Sequence, residues 1–203
     1  MKLSVKAPVI LASGSAVRGA LLRQAGIEFV ADPPDLDESI IKDAGLAAGD
    51  TVAAVAQKLA EAKAAAVVQK HPGGYVIAAD QMLEFEGQWF DKPRSAEEAG
   101  ARLRAFSCKS HRLITAVVMR KGEQTLLNHI GYAELQVRPL SDAFIVEYLE
   151  AMGDEVCRSV GGYQLEGLGS HLFEAVEGDF FTILGLPLLP LFKVLRDEGV
   201  LPA

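Results

Sequence analysis

Short apolar runs closed by small or charged residues alternate along this chain with stretches whose apolar positions recur at helical spacing, which is the pattern of an α/β protein. Pro8-Val9-Ile10-Leu11-Ala12 reads as a buried strand that breaks into Ser13-Gly14-Ser15, and Ala16 to Ala25 as a helix stopped by Gly26. Ile27 to Ala31 reads as a second strand, followed by an acidic loop, Asp32 to Ser39. An Ala-rich helix then runs from Thr51 to Val68 with Asp50 or Thr51 as its cap. Val76 to Ala79 is a strand buried on both faces that ends at Asp80, and Met82 to Phe85 pairs with Gln88 to Phe90 as a hairpin.

Further on, Ser95-Ala96-Glu97-Glu98 is a capping box that opens a helix to Phe106. Cys108 to Met119 and Gln124 to Val137 are long paired strands around Lys121-Gly122, and Ser141 to Ala151 is another capped helix. Ser159 to Ser170 is a Gly-rich loop that matches neither the P-loop nor the dinucleotide fingerprint. Leu172 to Val176 forms a last strand, and Leu186 to Glu198 a closing amphipathic helix with Pro187 in its first turn.

Two cations break the apolar pattern. Arg18 falls inside the arc made by Val17, Leu21, Leu22 and Ala25, and Lys63 lies in the middle of the stripe of Val52, Val55, Ala56, Leu59, Ala66 and Val67. An inward charge needs a partner, because leaving it unpaired costs on the order of 3–5 kcal/mol. For Arg18 that partner is an internal carboxylate or a phosphate, since the turn before its helix aims backbone N–H groups and the Ser13 and Ser15 hydroxyls at one spot. Plain helix capping by serine is the other reading of that turn. For Lys63 a buried anion competes with snorkelling.

Asp80, at a strand's end, can hold a metal or activate water, or simply cap a turn. The acidic loop offers Asp32, Asp35, Asp37 and Glu38, and spacing does not choose which of them would share a cation with Asp80. Lys92 sits in the rigid corner Asp91-Lys92-Pro93, where by itself it reads as a surface lysine.

The 203 residues, 50% hydrophobic and 23% charged, suit one globular domain over 1–203. With 20 Lys and Arg against 27 Asp and Glu the net charge is −7, and no basic stripe exists, which argues against bulk nucleic-acid binding. Cys108 and Cys157 make no zinc spacing and suit a reducing cytoplasm, and the four histidines form no ligand pair. Any metal would therefore take carboxylate and phosphate oxygens, which suits magnesium or manganese. Met1-Lys2 to Ala12 looks superficially like a leader, but its apolar run is short and reads as the first strand. The apolar segment Ile183 to Phe192 carries Gly185, Pro187 and Pro190, so no membrane span is expected.

Taken in order, Leu11-Ala12-Ser13-Gly14-Ser15 with Arg18, Lys63 in its Ala-Lys-Ala helix, Ala79-Asp80-Gln81, Lys92-Pro93, Thr115-Ala116-Val117, Glu166-Gly167-Leu168-Gly169 and Gly185-Leu186-Pro187-Leu188 resemble the Maf family of nucleoside triphosphate pyrophosphatases nearly end to end. The resemblance implies a cytoplasmic α/β enzyme, often dimeric, with an elongated mixed sheet flanked by helices, Maf/ITPase-like, and a cleft between two lobes. It implies hydrolysis of a nucleoside triphosphate to the monophosphate and pyrophosphate with a divalent cation, Mg2+ or Mn2+. Carried over by position, Asp80 matches the catalytic carboxylate, Glu38 a second acidic position sharing the metal, and Arg18, Lys63 and Lys92 the phosphate-binding cations.

Three positions bear on the base. Val17, Gln81 and Glu166 resemble the subgroup acting on 7-methyl-GTP rather than the one acting on dTTP and UTP. A carboxylate at Glu166 accepts from the guanine N1–H and exocyclic amine and repels the O4 of uracil or thymine. Methylation at N7 makes the base cationic, so Val17 in place of an arginine removes a repulsive charge. Departures are Ser15-Ala16-Val17-Arg18 where many members carry Ser-Pro-Arg-Arg, the absence of an aromatic at Val17, and Cys108 in place of a turn glycine. The competing expectations are a pyrophosphatase of pyrimidine nucleotides (dTTP, UTP, CTP) and a nucleotide-binding regulator of septum formation.

Overall fold

The computed structural model describes residues 5–202, and Met1-Lys2 of the leader-like start lies outside the described residues. In chain order the elements are β1 (Val9–Leu11), α1 (Ala16–Gln24), β2 (Val30–Ala31), α2 (Glu38–Ala48), α3 (Val52–Val68), β3 (Tyr75–Phe85), β4 (Gln88–Phe90), α4 (Ala96–Phe106), β5 (Ser110–Lys121), β6 (Gln124–Val137), α5 (Asp142–Met152), β7 (Phe173–Gly178), α6 (Phe180–Ile183) and α7 (Leu188–Asp197). A short 3-10 turn at Gly153–Cys157 precedes the Gly-rich loop, and a second at Leu168–Leu172 takes in its last three residues. The strands form one mixed sheet in the order β2-β1-β3-β5-β6-β7, with β4 paired to β3. This is the mixed α/β class expected from the alternating pattern.

Three local readings change. The second strand shrinks to two exposed residues, and the acidic loop ends at Asp37, whose carboxylate caps a helix that begins at Glu38. That helix went unread because only its N-cap and its left-handed Gly49 stop mark it, while Ile40 and Leu46 stay exposed and leave no buried apolar stripe. Asp80 is not at a strand end either: β3 runs on through it to Phe85 and turns at Glu86-Gly87, both with positive φ, as a two-residue hairpin requires.

The chain divides into two compact units whose boundaries fall inside β3, β5 and β6 and after α6. The first comprises residues up to Asp80, Thr115–Gly131 and the segment from Leu184. Its parallel strands explain where Asp80 acquires room. β1 pairs with β3 from Val9↔Tyr75 to Leu11↔Ile77 and then stops, with Ala12 N donating to Ile77 O at 2.8 Å, so β3 continues past its neighbour's carboxyl end by the three residues that reach Asp80. α3 contributes Val55, Ala56, Leu59, Ala60, Ala64 and Val67 to this unit's core, the alanines permitting close approach.

The second unit comprises Gln81–Ile114 and Tyr132–Ile183. Its core is aromatic: Phe85, Phe90, Phe106, His111, Tyr163 and Phe173 meet at centroid distances of 4.7–6.1 Å. Within it, Ser95 Oγ caps α4 by accepting from Glu98 N, and Glu98 Oε2 reaches back to Arg94 N rather than to the cap residue.

Candidate active site

The site grows from the break after β1. Ser15 has extended backbone and its hydroxyl caps α1 by accepting from Arg18 N, while Ser13 Oγ accepts from Ser15 N at 3.2 Å. This fixes Arg18 in the first turn of α1 and sends its side chain inward, as the helical spacing required. There it is held by oxygens: Nη1 donates to Ala79 O at 2.8 Å and to Ser13 Oγ at 3.2 Å, and Nε to Gly185 O at 2.8 Å. Burial pushes the guanidinium down from its ordinary value, and the negative charges of Asp80 and Glu38 push it back up.

Lys63 projects from α3 into the same place. Its side chain is 9% exposed, and Nζ lies 2.6 Å from Asp80 Oδ1 and 2.8 Å from Glu38 Oε1. Of the four loop carboxylates among which spacing does not choose, Glu38 is the one that meets Lys63. The selection follows from the Asp37 cap, because a residue capped into the first turn of a helix has its direction fixed. Asp80 is buried and Glu38 has a 40% exposed side chain, so the trio runs from the interior to the surface.

Five expected residues are thus linked by hydrogen bonds or charge in the first unit: Ser13, Arg18, Glu38, Lys63 and Asp80, with Ser15 as the cap. Val17 sits half-buried in the first turn of α1 beside Arg18. Gln81, Lys92 and Glu166 belong to the second unit. Gln81 donates from Nε2 to Thr182 O at 3.0 Å and Ile183 O at 2.9 Å, closing the carbonyl end of α6. Lys92 is exposed between β4 and α4, and Glu166 is exposed in the turn closed by Gly167 N on Gln164 O at 3.1 Å. Residues that pattern reading missed are backbone acceptors, Ala79 and Gly185, which have no side-chain signature at all.

As a donor set for a metal, Asp80 and Glu38 supply hard carboxylate oxygens, and one oxygen of each already faces Lys63. Among the described residues no three His, Cys, Asp or Glu side chains are grouped to hold a metal by themselves. Two carboxylates with the remaining positions filled by water and phosphate oxygen is how Mg2+ is commonly held, so the residues fit. An open cavity of about 910 Å³ exists in the same unit, but Lys6, Arg23, Phe29 and Val30 line it and none of the clustered site residues does. Its size does not make it the site.

The α/β fold holds an inward Arg and Lys beside paired carboxylates, and the Maf-like protein family model matches residues 8–198. The chain belongs to the Maf family. It is 49% identical over 192 residues to a nucleoside triphosphate pyrophosphatase of Paramagnetospirillum magneticum, covering 95% of this chain and 99% of that one. A nucleoside triphosphate pyrophosphatase of Nitrobacter hamburgensis is also 49% identical, covering 96% and 95%. A 7-methyl-GTP pyrophosphatase of Brucella suis is 46% identical, covering 94% and 96%. Among solved structures, a HAM1 protein from Coxiella burnetii matches with a TM-score of 0.41 at 20% identity, covering 64% of this chain and 73% of that one. No helix among the described residues is long and apolar enough to cross a membrane.

Proposed function

We propose that this chain hydrolyses a nucleoside triphosphate to the nucleoside monophosphate and pyrophosphate. The observation that carries the reading is Lys63, held in the interior between Asp80 and Glu38 with Arg18 beside them. The names of relatives at 46–49% identity support it.

The geometry suggests roles. An ammonium has three donors, and two of those on Lys63 are spent on Asp80 and Glu38, which leaves the third for a phosphate oxygen. Ser13 and Ser15 use their oxygens as acceptors and keep their own hydrogens for an anion at the α1 N-terminus. Asp80 is the carboxylate that orients or deprotonates the water attacking the α-phosphorus. Arg18 and Lys63 offset the charge that grows on the departing pyrophosphate, and Lys92 is proposed as a phosphate-binding cation on its match to the family pattern alone.

Within the cluster two carboxylates cancel Arg18 and Lys63, so a polyanion gains little from it as it stands. Asp80 and Glu38 would hold a divalent cation, Mg2+ or Mn2+, which would make the site positive and would supply Lewis-acid polarisation of the phosphoryl group. For the base we propose 7-methyl-GTP or a related modified or non-standard nucleotide, on the acidic Glu166, on Gln81 and on the name of the Brucella suis relative. A cytoplasmic location rests on Cys108 and Cys157, both free thiols.

Pyrophosphate release from a panel of nucleotides with Mg2+, comparing the native chain with Asp80→Asn, tests the reading. The expected loss is about 10²–10⁴-fold in kcat. Equal turnover by the two proteins would remove Asp80 from the chemistry.

A further inference from the structure

Arg102 takes no part in the readings above, yet it is 6% exposed on the inner face of α4, between the buried Ala99, Leu103 and Phe106. An apolar side chain would fill that position without the desolvation cost of a guanidinium. What the guanidinium brings is a planar fork of donors, and both of its terminal nitrogens are engaged. Nη1 donates to both Asp91 O and Val160 O, Nη2 donates to Glu98 Oε1 at 3.1 Å, and Cζ lies over the Phe90 ring at 5.1 Å.

One carbonyl stands immediately before a residue expected at the nucleotide, and the other at the start of the loop that carries a second one. Asp91 directly precedes Lys92, and Val160 directly precedes the Gly161-Gly162-Tyr163 bend that leads to Glu166. Past Val160 the loop is tied down at Gly162 and Tyr163. Tyr148 OH donates to Gly162 O at 3.3 Å, Ser159 Oγ accepts from Tyr163 N and donates to Tyr163 O, and the Tyr163 hydroxyl meets His111 Nε2 at 2.6 Å. Gly162 has φ +74°, and a Cβ there would stand 3.9 Å from Pro93 Cγ, so the bend and the Lys92 corner lie against each other. Arg18 does the equivalent in the first unit, where it grips the carbonyl of Ala79 just before Asp80.

We propose that Arg102 is a positioning residue that locks the Lys92 corner to the Glu166 loop, so that the phosphate-facing and base-facing parts of the second unit keep one spacing. The inference rests on the reading that Lys92 and Glu166 face the nucleotide.

The test uses Arg102→Met, which keeps the volume, and Arg102→Lys, which keeps the charge but not the fork. Hydrogen exchange should quicken at least about 10-fold in segments 89–95 and 158–167 and stay native in α5 and β7, since a held carbonyl is released in each segment. In steady-state assays KM should rise and kcat/KM fall by about 10–100-fold, and preference among bases should flatten by about 10-fold. Arg102→Lys should not restore either. In a Glu166→Gln background the loss of base preference from Arg102→Met should vanish, because both changes act on one contact. Should Arg102→Met fail to fold, Glu98→Ala releases Nη2 from the solvent side and should quicken exchange in segment 158–167, which Glu98 does not itself bond, whereas Arg94 N in the other segment loses its own acceptor in that variant.

Unchanged exchange in those segments overturns the proposal, and so does a lowered Tm with native KM and base ranking. A native protein without nucleotide turnover would sink the hydrolase reading instead, while the exchange measurement would still decide whether Arg102 is the lock.

Discussion

Lys63 Nζ and Asp80 Oδ1 are 2.6 Å apart with both side chains less than a tenth exposed. Removing one partner of such a pair strands the other's charge, whereas removing both does not. Lys63→Met should therefore destabilise the fold by about 3 kcal/mol, and combining it with Asp80→Asn should recover most of that loss while turnover stays abolished. Denaturant unfolding checks this, and two losses that simply add would mean the pair is not coupled.

Asp37 caps α2 by accepting from Ser39 N at 3.0 Å, one residue before Glu38. Asp37→Ala should cost about 1 kcal/mol in stability. It should also slow turnover, because the first helical turn is what aims Glu38 at Lys63. A stability loss with native kcat would show that Glu38 finds Lys63 without the cap.

Glu166 is exposed and its carboxylate is free to meet a base. Glu166→Gln should leave Tm unchanged and move substrate preference away from guanine-type bases toward uracil or thymine, by roughly 10-fold or more in the kcat/KM ratio. An unaltered ranking across the nucleotide panel would take Glu166 out of the base pocket.

Burial pushes the His111 imidazole down from 6.5 to about 4. The unfolded chain thus binds a proton that the folded one refuses between those values, so stability is full above about pH 6.5 and is lost as pH falls toward 4. A single proton taken up near 6.5 in one state and near 4 in the other is worth roughly 3 kcal/mol. His111→Phe, which suits the stacked contact with Phe106 at 4.7 Å, should flatten the acid limb of a plot of unfolding free energy against pH. An unchanged slope would mean that other groups set it.

Cys108 has φ +62°, a left-handed conformation that costs a residue with a Cβ about 1–2 kcal/mol. The substitution of cysteine for a turn glycine, visible as a departure in the sequence, is thus borne by a strained turn. Cys108→Gly should raise stability by about 1 kcal/mol, measured by thermal or denaturant unfolding, with no change in KM. A neutral or destabilising result would mean that the cysteine side chain compensates for its backbone.

Elements whose signals are local were legible in the order of residues alone. Periodicity placed α1 and α3, the capping box at Ser95 and the cap at Ser141 opened α4 and α5, Thr51 caps α3 where the sequence offered Asp50 or Thr51, and Gly26 closed α1. The same patterning picked out Arg18 and Lys63, because a charge within an apolar arc is a local contradiction that only a distant partner resolves. Which partner was beyond it. Asp32, Asp35, Asp37 and Glu38 are equivalent as letters, and Glu38 is singled out only when the Asp37 cap turns it toward Lys63, on the next helix. Likewise the acceptors of Arg18 and Arg102 are main-chain carbonyls, which every residue carries, so nothing in residue type marks Ala79, Gly185, Asp91 or Val160. Those choices are made by where β3 outruns β1 and where the loop after α5 folds back, and such long-range geometry is a property of packing rather than of any stretch of sequence.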